Sequence, residues 1–144
     1  LVIAEQQPAA GFGGELVAEI REAQPGVKVV VIGSVPSDAD VIEAIEQKAF
    51  SYFSRPFDPA AVRDMMQSAV TERGWDDGIR VLSADPEFLT LKIRCNIATA
   101  DRLQRFFEEL KNDLDPEERG RVAMAFREMP LNAIEHGGKL NPGE

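Results

Sequence analysis

The sequence predicts an α/β chain in two parts, a parallel sheet with helical crossovers followed by a smaller α+β segment. Three observations carry this expectation. In the first half, short, mainly apolar runs (Leu1–Ala4, and Val27–Ile32 with Lys28 inside it) alternate with stretches of helical period. The cluster Glu72-Arg73-Gly74-Trp75-Asp76-Asp77-Gly78 then interrupts that period with glycines and charges. Beyond it, Phe88–Asn96 alternates strictly. Leu89, Leu91, Ile93 and Cys95 fall on one face, and Thr90, Lys92, Arg94 and Asn96 on the other, as in a half-exposed antiparallel strand.

Taken in order, Leu1–Ala4 reads as a strand buried on both faces. The segment Gln6–Gly14 holds Pro8, Gly11, Gly13 and Gly14 and reads as a loop. Glu15–Glu22 reads as a helix with Leu16, Val17, Ile20 and Ala23 on one apolar face, stopped by Pro25-Gly26. Val27–Ile32 is a second strand. Ser37, with Asp40 three residues on, caps a helix packed by Val41, Ile42 and Ile45. Tyr52-Phe53-Ser54 is a third, short strand. Asp58-Pro59 opens a helix carrying Val62, Met65, Met66, Ala69 and Val70. The order β-α-β-α-β-α requires a parallel sheet. In the second part, Ile79–Ser83 is a strand and Asp85-Pro86-Glu87 a turn. The alternating strand follows, with Cys95 buried and inert. Thr99–Leu114 carries Leu103, Phe106, Phe107, Leu110 and Leu114 at helical spacing. Asp115-Pro116-Glu117-Glu118 starts a last helix running to His136, with Gly137 and Gly138 as its stop.

Composition narrows the function. A net charge of −9 over 144 residues argues against nucleic-acid and acidic-membrane partners, since both repel an acidic surface. The single cysteine excludes an intrachain disulfide and fits a reducing, cytoplasmic setting. No apolar run approaches the roughly 20 residues that span a bilayer. The chain opens on Leu1 with neither a start methionine nor a leader, so it is read as a segment of a longer polypeptide.

The most informative residues lie near the C-terminus. Glu128, Asn132 and His136 are spaced i, i+4, i+8 and form one polar stripe on an ideal helix. Val122, Phe126, Met129 and Ala133 fall beside it as a buried seam. Carboxylate, amide and imidazole in a row suggest a site: an amide oxygen suits Mg²⁺, and a carboxylate one turn away can take a proton. Pro130 interrupts the stripe, and a proline inside a helix costs on the order of 3 kcal/mol and kinks it.

Residues Leu1–Arg73 resemble the later part of a bacterial receiver domain, with its flavodoxin-like parallel sheet. The resemblance rests on Leu1-Val2-Ile3-Ala4-Glu5, Val29-Val30-Val31-Ile32-Gly33-Ser34 and Ala49-Phe50-Ser51-Tyr52-Phe53-Ser54-Arg55-Pro56-Phe57. The family places a phosphate-accepting Asp, a hydroxyl residue and a Lys at three strand ends. Here those positions hold Glu5, Gly33 and Arg55, so the resemblance implies a degenerate site that takes no phosphate. Glu5 extends one methylene further than Asp, and Gly33 has no hydroxyl, while the adjacent Ser34 should point to the other side of the sheet. Arg55 can pair with Glu5 through two hydrogen bonds. Such a unit is either locked in one state by that pair or kept as a spacer or dimerisation surface. Tyr52 stands where the family has its switch aromatic, although a strand-end Tyr commonly packs with its hydroxyl in water.

Residues 74–78 read as a linker, in which Trp75 either pins the two modules together or belongs to a surface patch. Residues 79–144 look like the N-terminal portion of a GHKL (Bergerat-type) ATP-binding domain, in the variant of anti-sigma-factor serine kinases. The match is Glu128, Asn132, Ala133, His136 and Gly137. It implies Glu128 as catalytic base, Asn132 as Mg²⁺ ligand and His136 as a nucleotide contact, with Mg²⁺ and ATP bound by the intact protein and neither by this fragment. The resulting expectation is a response regulator whose atypical receiver is coupled to a serine kinase-like domain, with an anti-sigma antagonist or similar signalling protein as partner. The rival expectation is a non-catalytic interaction scaffold. Histidine-kinase activity is disfavoured by the lack of a phosphoacceptor-helix pattern. An open sheet edge in the first part could be covered by a second copy, giving a homodimer.

Overall fold

The computed structural model describes residues 1–6, 14–34, 37–71, 78–84, 88–110 and 115–137. Trp75, the turn at 85–87, Leu114, Gly138 and most of the loop before Gly14 lie outside them. The chain divides into two compact units, Leu1–Asp76 and Asp77–Glu144.

The first unit has three strands, β1 (Val2–Glu5), β2 (Val29–Gly33) and β3 (Ser51–Ser54), and three helices, α1 (Gly14–Ala23), α2 (Asp38–Glu46) and α3 (Pro59–Thr71). The sheet is parallel in the order β1-β2-β3, with Glu5 opposite Ile32 and Gly33 opposite Ser54. Parallel neighbours need crossovers, which α1 and α2 supply. β2, with a neighbour on each side, is wholly apolar because both its faces are covered: Val29, Val30 and Val31 are buried. One core cluster joins Val30, Phe50, Phe53, Met65 and Ala69.

Local signals behave as expected at the helix ends. Ser37 caps α2 by accepting from the Asp40 amide at 3.4 Å, and Asp58 accepts from the Ala60 amide at 2.9 Å. α2 ends with Lys48 at φ 62°. The Ala49 amide reaches back to the Ala44 carbonyl and the Lys48 amide to that of Ile45, the paired bonds of a Schellman cap. Lys28, buried at the start of β2, donates from Nζ to the Ala69 carbonyl at 2.7 Å and lies over the Phe50 ring. It thereby satisfies a carbonyl of the last turn of α3.

Four apolar expectations fail in this unit, the exposed Ala23 at the end of α1 among them. β1 is not buried on both faces: Leu1 and Ile3 are each 45% exposed, because β1 is the edge strand of the described sheet. Leu16 and Val70 are also exposed, while Val17 and Met65 on the same helices are buried. Each helix meets a single sheet face, so its buried stripe is narrower than its apolar set.

The second unit is α+β. β4 (Ile79–Ala84) and β5 (Leu89–Ile93) pair antiparallel, with an irregularity between Val81 and Ser83. α4 (Ile97–Glu109) and α5 (Pro116–Asn132) follow. Asn96 caps α4 by accepting from the Ala98 amide, and Asp115 caps α5 by accepting from the Glu117 and Glu118 amides at 2.9 Å each. Phe107 of α4 stacks on Phe126 of α5 with ring centroids 3.7 Å apart and planes 8° from parallel. Leu103 and Phe106 are buried as the helical spacing predicts. Cys95 is half-buried rather than buried, because it lies beyond the end of β5.

Candidate functional site

Parallel register brings the C-terminal ends of β1, β2 and β3 to one edge. The Gln6 amide donates to the Ile32 carbonyl at 2.8 Å, and the Arg55 amide to the Gly33 carbonyl at 3.1 Å. Glu5, Gly33 and Arg55 therefore stand together, as the sequence suggests. Arg55 Nη2 donates to Glu5 Oε1 at 2.9 Å. This is one bond rather than the expected two, and both side chains are more than half exposed. The Arg55 guanidinium also lies 5.5 Å from the centre of the Phe57 ring, a cation–π distance. Ser34, just past β2, is half-buried.

Tyr52 departs from the expectation of a hydroxyl in water. Its side chain is fully buried, and its hydroxyl donates to Gln6 Oε1 at 3.2 Å. The hydroxyl lies against Gly33: a Cβ built there would overlap the Tyr52 oxygen and stand 2.7 Å from Cζ. The position that lacks a hydroxyl of its own is therefore filled by one from the next strand. Gln6 escaped notice in the sequence, where it opens an apparent loop. Its only signal there is that it directly follows the strand-end Glu5.

In the second unit the expected stripe is not flanked by a seam. Glu128, Asn132 and His136 are all exposed. Val122 and Met129 are exposed as well, at 38% and 70%. Ala133 is exposed too, and Ile134 is the residue that is buried. The helical repeat also changes after Asn132. α5 stays helical through Pro130, but Ala133–Gly137 forms a π-turn. Its wider i→i+5 repeat takes His136 off the i+4 line that Glu128 and Asn132 share. Among the described residues no side-chain hydrogen bond joins these three, and no group of three or more His, Cys, Asp or Glu is placed to hold a metal ion. Among the described residues, no helix is long and apolar enough to cross a membrane.

The chain is 29% identical over 85 residues to Transcriptional regulatory protein GlrR of Escherichia coli strain K12, and likewise to Transcriptional regulatory protein QseF of Escherichia coli O157:H7. Each match covers 55% of this chain and 19% of the relative, so the chain spans about a fifth of the length of the curated relatives it matches. No family model matches the chain, and no solved structure matches it significantly. The parallel three-stranded sheet with its helices is consistent with a flavodoxin-like receiver. Both of these relatives are named as transcriptional regulatory proteins, and the likeness extends over 85 residues.

Proposed function

We propose that this chain is part of a bacterial, cytoplasmic response regulator whose receiver unit works through its surfaces rather than by taking up phosphate. The observation that carries the reading is the ion pair between Glu5 and Arg55. It engages the carboxylate that stands in the family's acceptor position with the cation that stands in the place of the family's lysine. The space beside Gly33 is filled by Tyr52, so no hydroxyl at position 33 awaits a phosphoryl group. Incubation with acetyl phosphate or a beryllium fluoride mimic should leave the intact mass and the spectra unchanged. A stoichiometric adduct on Glu5 would reject the reading.

For the second unit we propose an interaction role, with a signalling protein of the anti-sigma antagonist type as partner. Exposed Val122, Met124 and Met129 on α5 favour it, as apolar side chains in water are natural contact points. The kinase-like alternative assigns Glu128 as base, Asn132 as Mg²⁺ ligand and His136 as nucleotide contact. Their donor atoms suit Mg²⁺ in type. The π-turn and the lack of a further ligand cluster among the described residues weigh against a site built from this helix alone. Titration of the full-length protein with Mg·ATP decides between the two. The interaction reading predicts no binding that Asn132→Ala abolishes; binding lost in that variant would establish the nucleotide site.

A further inference from the structure

Tyr52 and Gly33 occupy one space between them. On β3, Tyr52 stands opposite Val31, and Gly33 stands opposite Ser54, so the two are close neighbours across the β2–β3 ladder. The Tyr52 side chain is only 1% exposed. A buried phenol needs a partner for its hydroxyl, and Gln6 Oε1 supplies one. Gln6 is itself buried, and its amide is tied to the Ile32 carbonyl. The acceptor is thus held at the end of β1 rather than hanging from a free loop. Any side chain at position 33 would begin with a Cβ that overlaps the Tyr52 hydroxyl and crowds Cζ and Gln6 Oε1. These are the far ends of two side chains, so the overlap is relieved by turning Tyr52 outward. A side chain at 33 therefore competes with the inward Tyr52 for the same space.

We propose that glycine at position 33 sets Tyr52 permanently inward, with Gln6 as its latch, so that this aromatic holds its inward state without any bound ligand. The inference rests on the receiver reading for the meaning of that state, but the seating of the ring is tested independently of it. Tyr52 is the sole tyrosine of the chain, so every tyrosine signal reports on this ring. In the unsubstituted chain, nitration by tetranitromethane should be slow in the native state and released by urea. In Gly33→Thr it should reach the rate of the urea-unfolded chain while far-ultraviolet circular dichroism stays native. A folded Gly33→Thr chain with a shielded tyrosine overturns the proposal. Should Gly33→Thr fail to fold, Gly33→Thr/Tyr52→Leu provides the second test, since removing the ring removes the overlap. Recovery of folding in that chain supports exclusive occupancy. If no chain with threonine at 33 folds, with or without the ring, the proposal is overturned. An adduct on Glu5 with a phosphodonor would instead remove the phosphate-independent reading and leave the seating of Tyr52 intact.

Discussion

Replacing Glu5 and Arg55 by glutamine, singly and together, measures what the strand-end ion pair is worth. Two unit charges 2.9 Å apart attract by about 1.4 kcal/mol at the dielectric of water. Against this stands the entropy of holding two long side chains in one geometry. Both side chains are more than half exposed, at 51% and 66%, so salt also screens them over a Debye length of about 8 Å at physiological ionic strength. The net coupling expected for such a pair is about 0.2–1 kcal/mol. A double-mutant cycle from urea unfolding of the whole chain reads it directly. It should lie in that range at low salt and shrink at about 1 M salt, where the Debye length is about 3 Å. A coupling indistinguishable from zero at low salt would refute the expected net attraction. A value above about 2 kcal/mol, insensitive to salt, would show that the site is not open to water.

Three further outcomes are expected. The Ser51 hydroxyl is buried without a hydrogen-bond partner among the described residues, so Ser51→Ala should raise stability by about 1 kcal/mol, seen as a higher urea midpoint at unchanged slope; a lower midpoint would mean the hydroxyl is satisfied. Lys48 adopts a left-handed backbone with φ 62° at the end of α2, so Lys48→Gly should gain about 0.5–1 kcal/mol in thermal unfolding while Lys48→Ala gains nothing. Burial, followed by repulsion from Asp40 and Glu46, raises the Glu43 carboxyl above its ordinary value of 4.5. The folded state therefore binds this proton more tightly than the unfolded chain. The resulting stabilisation is full below the unfolded value and is lost as pH rises through the folded one. Glu43→Gln should accordingly gain stability at neutral pH and little near pH 4, as read from unfolding midpoints at the two conditions; equal gains at both would contradict the assignment.

Much of the fold was legible because its signals are local. Ser37, Asp58 and Asp115 announce helix starts through hydroxyl or carboxylate oxygens that reach an amide two or three residues away. The apolar run of β2 announces a strand covered on both faces. The failures share a cause. Leu1 and Ile3 read like the β2 valines but lie on an edge strand, and the number of neighbours is not a property of the segment itself. Val70 and Met129 lie on periodic helices, yet are exposed because no element among the described residues covers them. The polar stripe at Glu128, Asn132 and His136 assumed an unbroken helical repeat, which the π-turn at Ala133–Gly137 changes after Asn132.

Local signals along the chain suffice for the order of strands and helices, the helix caps and the identity of the residues at the three strand ends. These follow from backbone preferences and periodicity, which each segment carries within itself. Packing between distant segments is what makes Glu5 meet Arg55 through one bond, turns Tyr52 inward over Gly33, and gives its hydroxyl to Gln6. Those outcomes depend on atoms dozens of residues apart competing for the same space, and close packing lets only one of them occupy it.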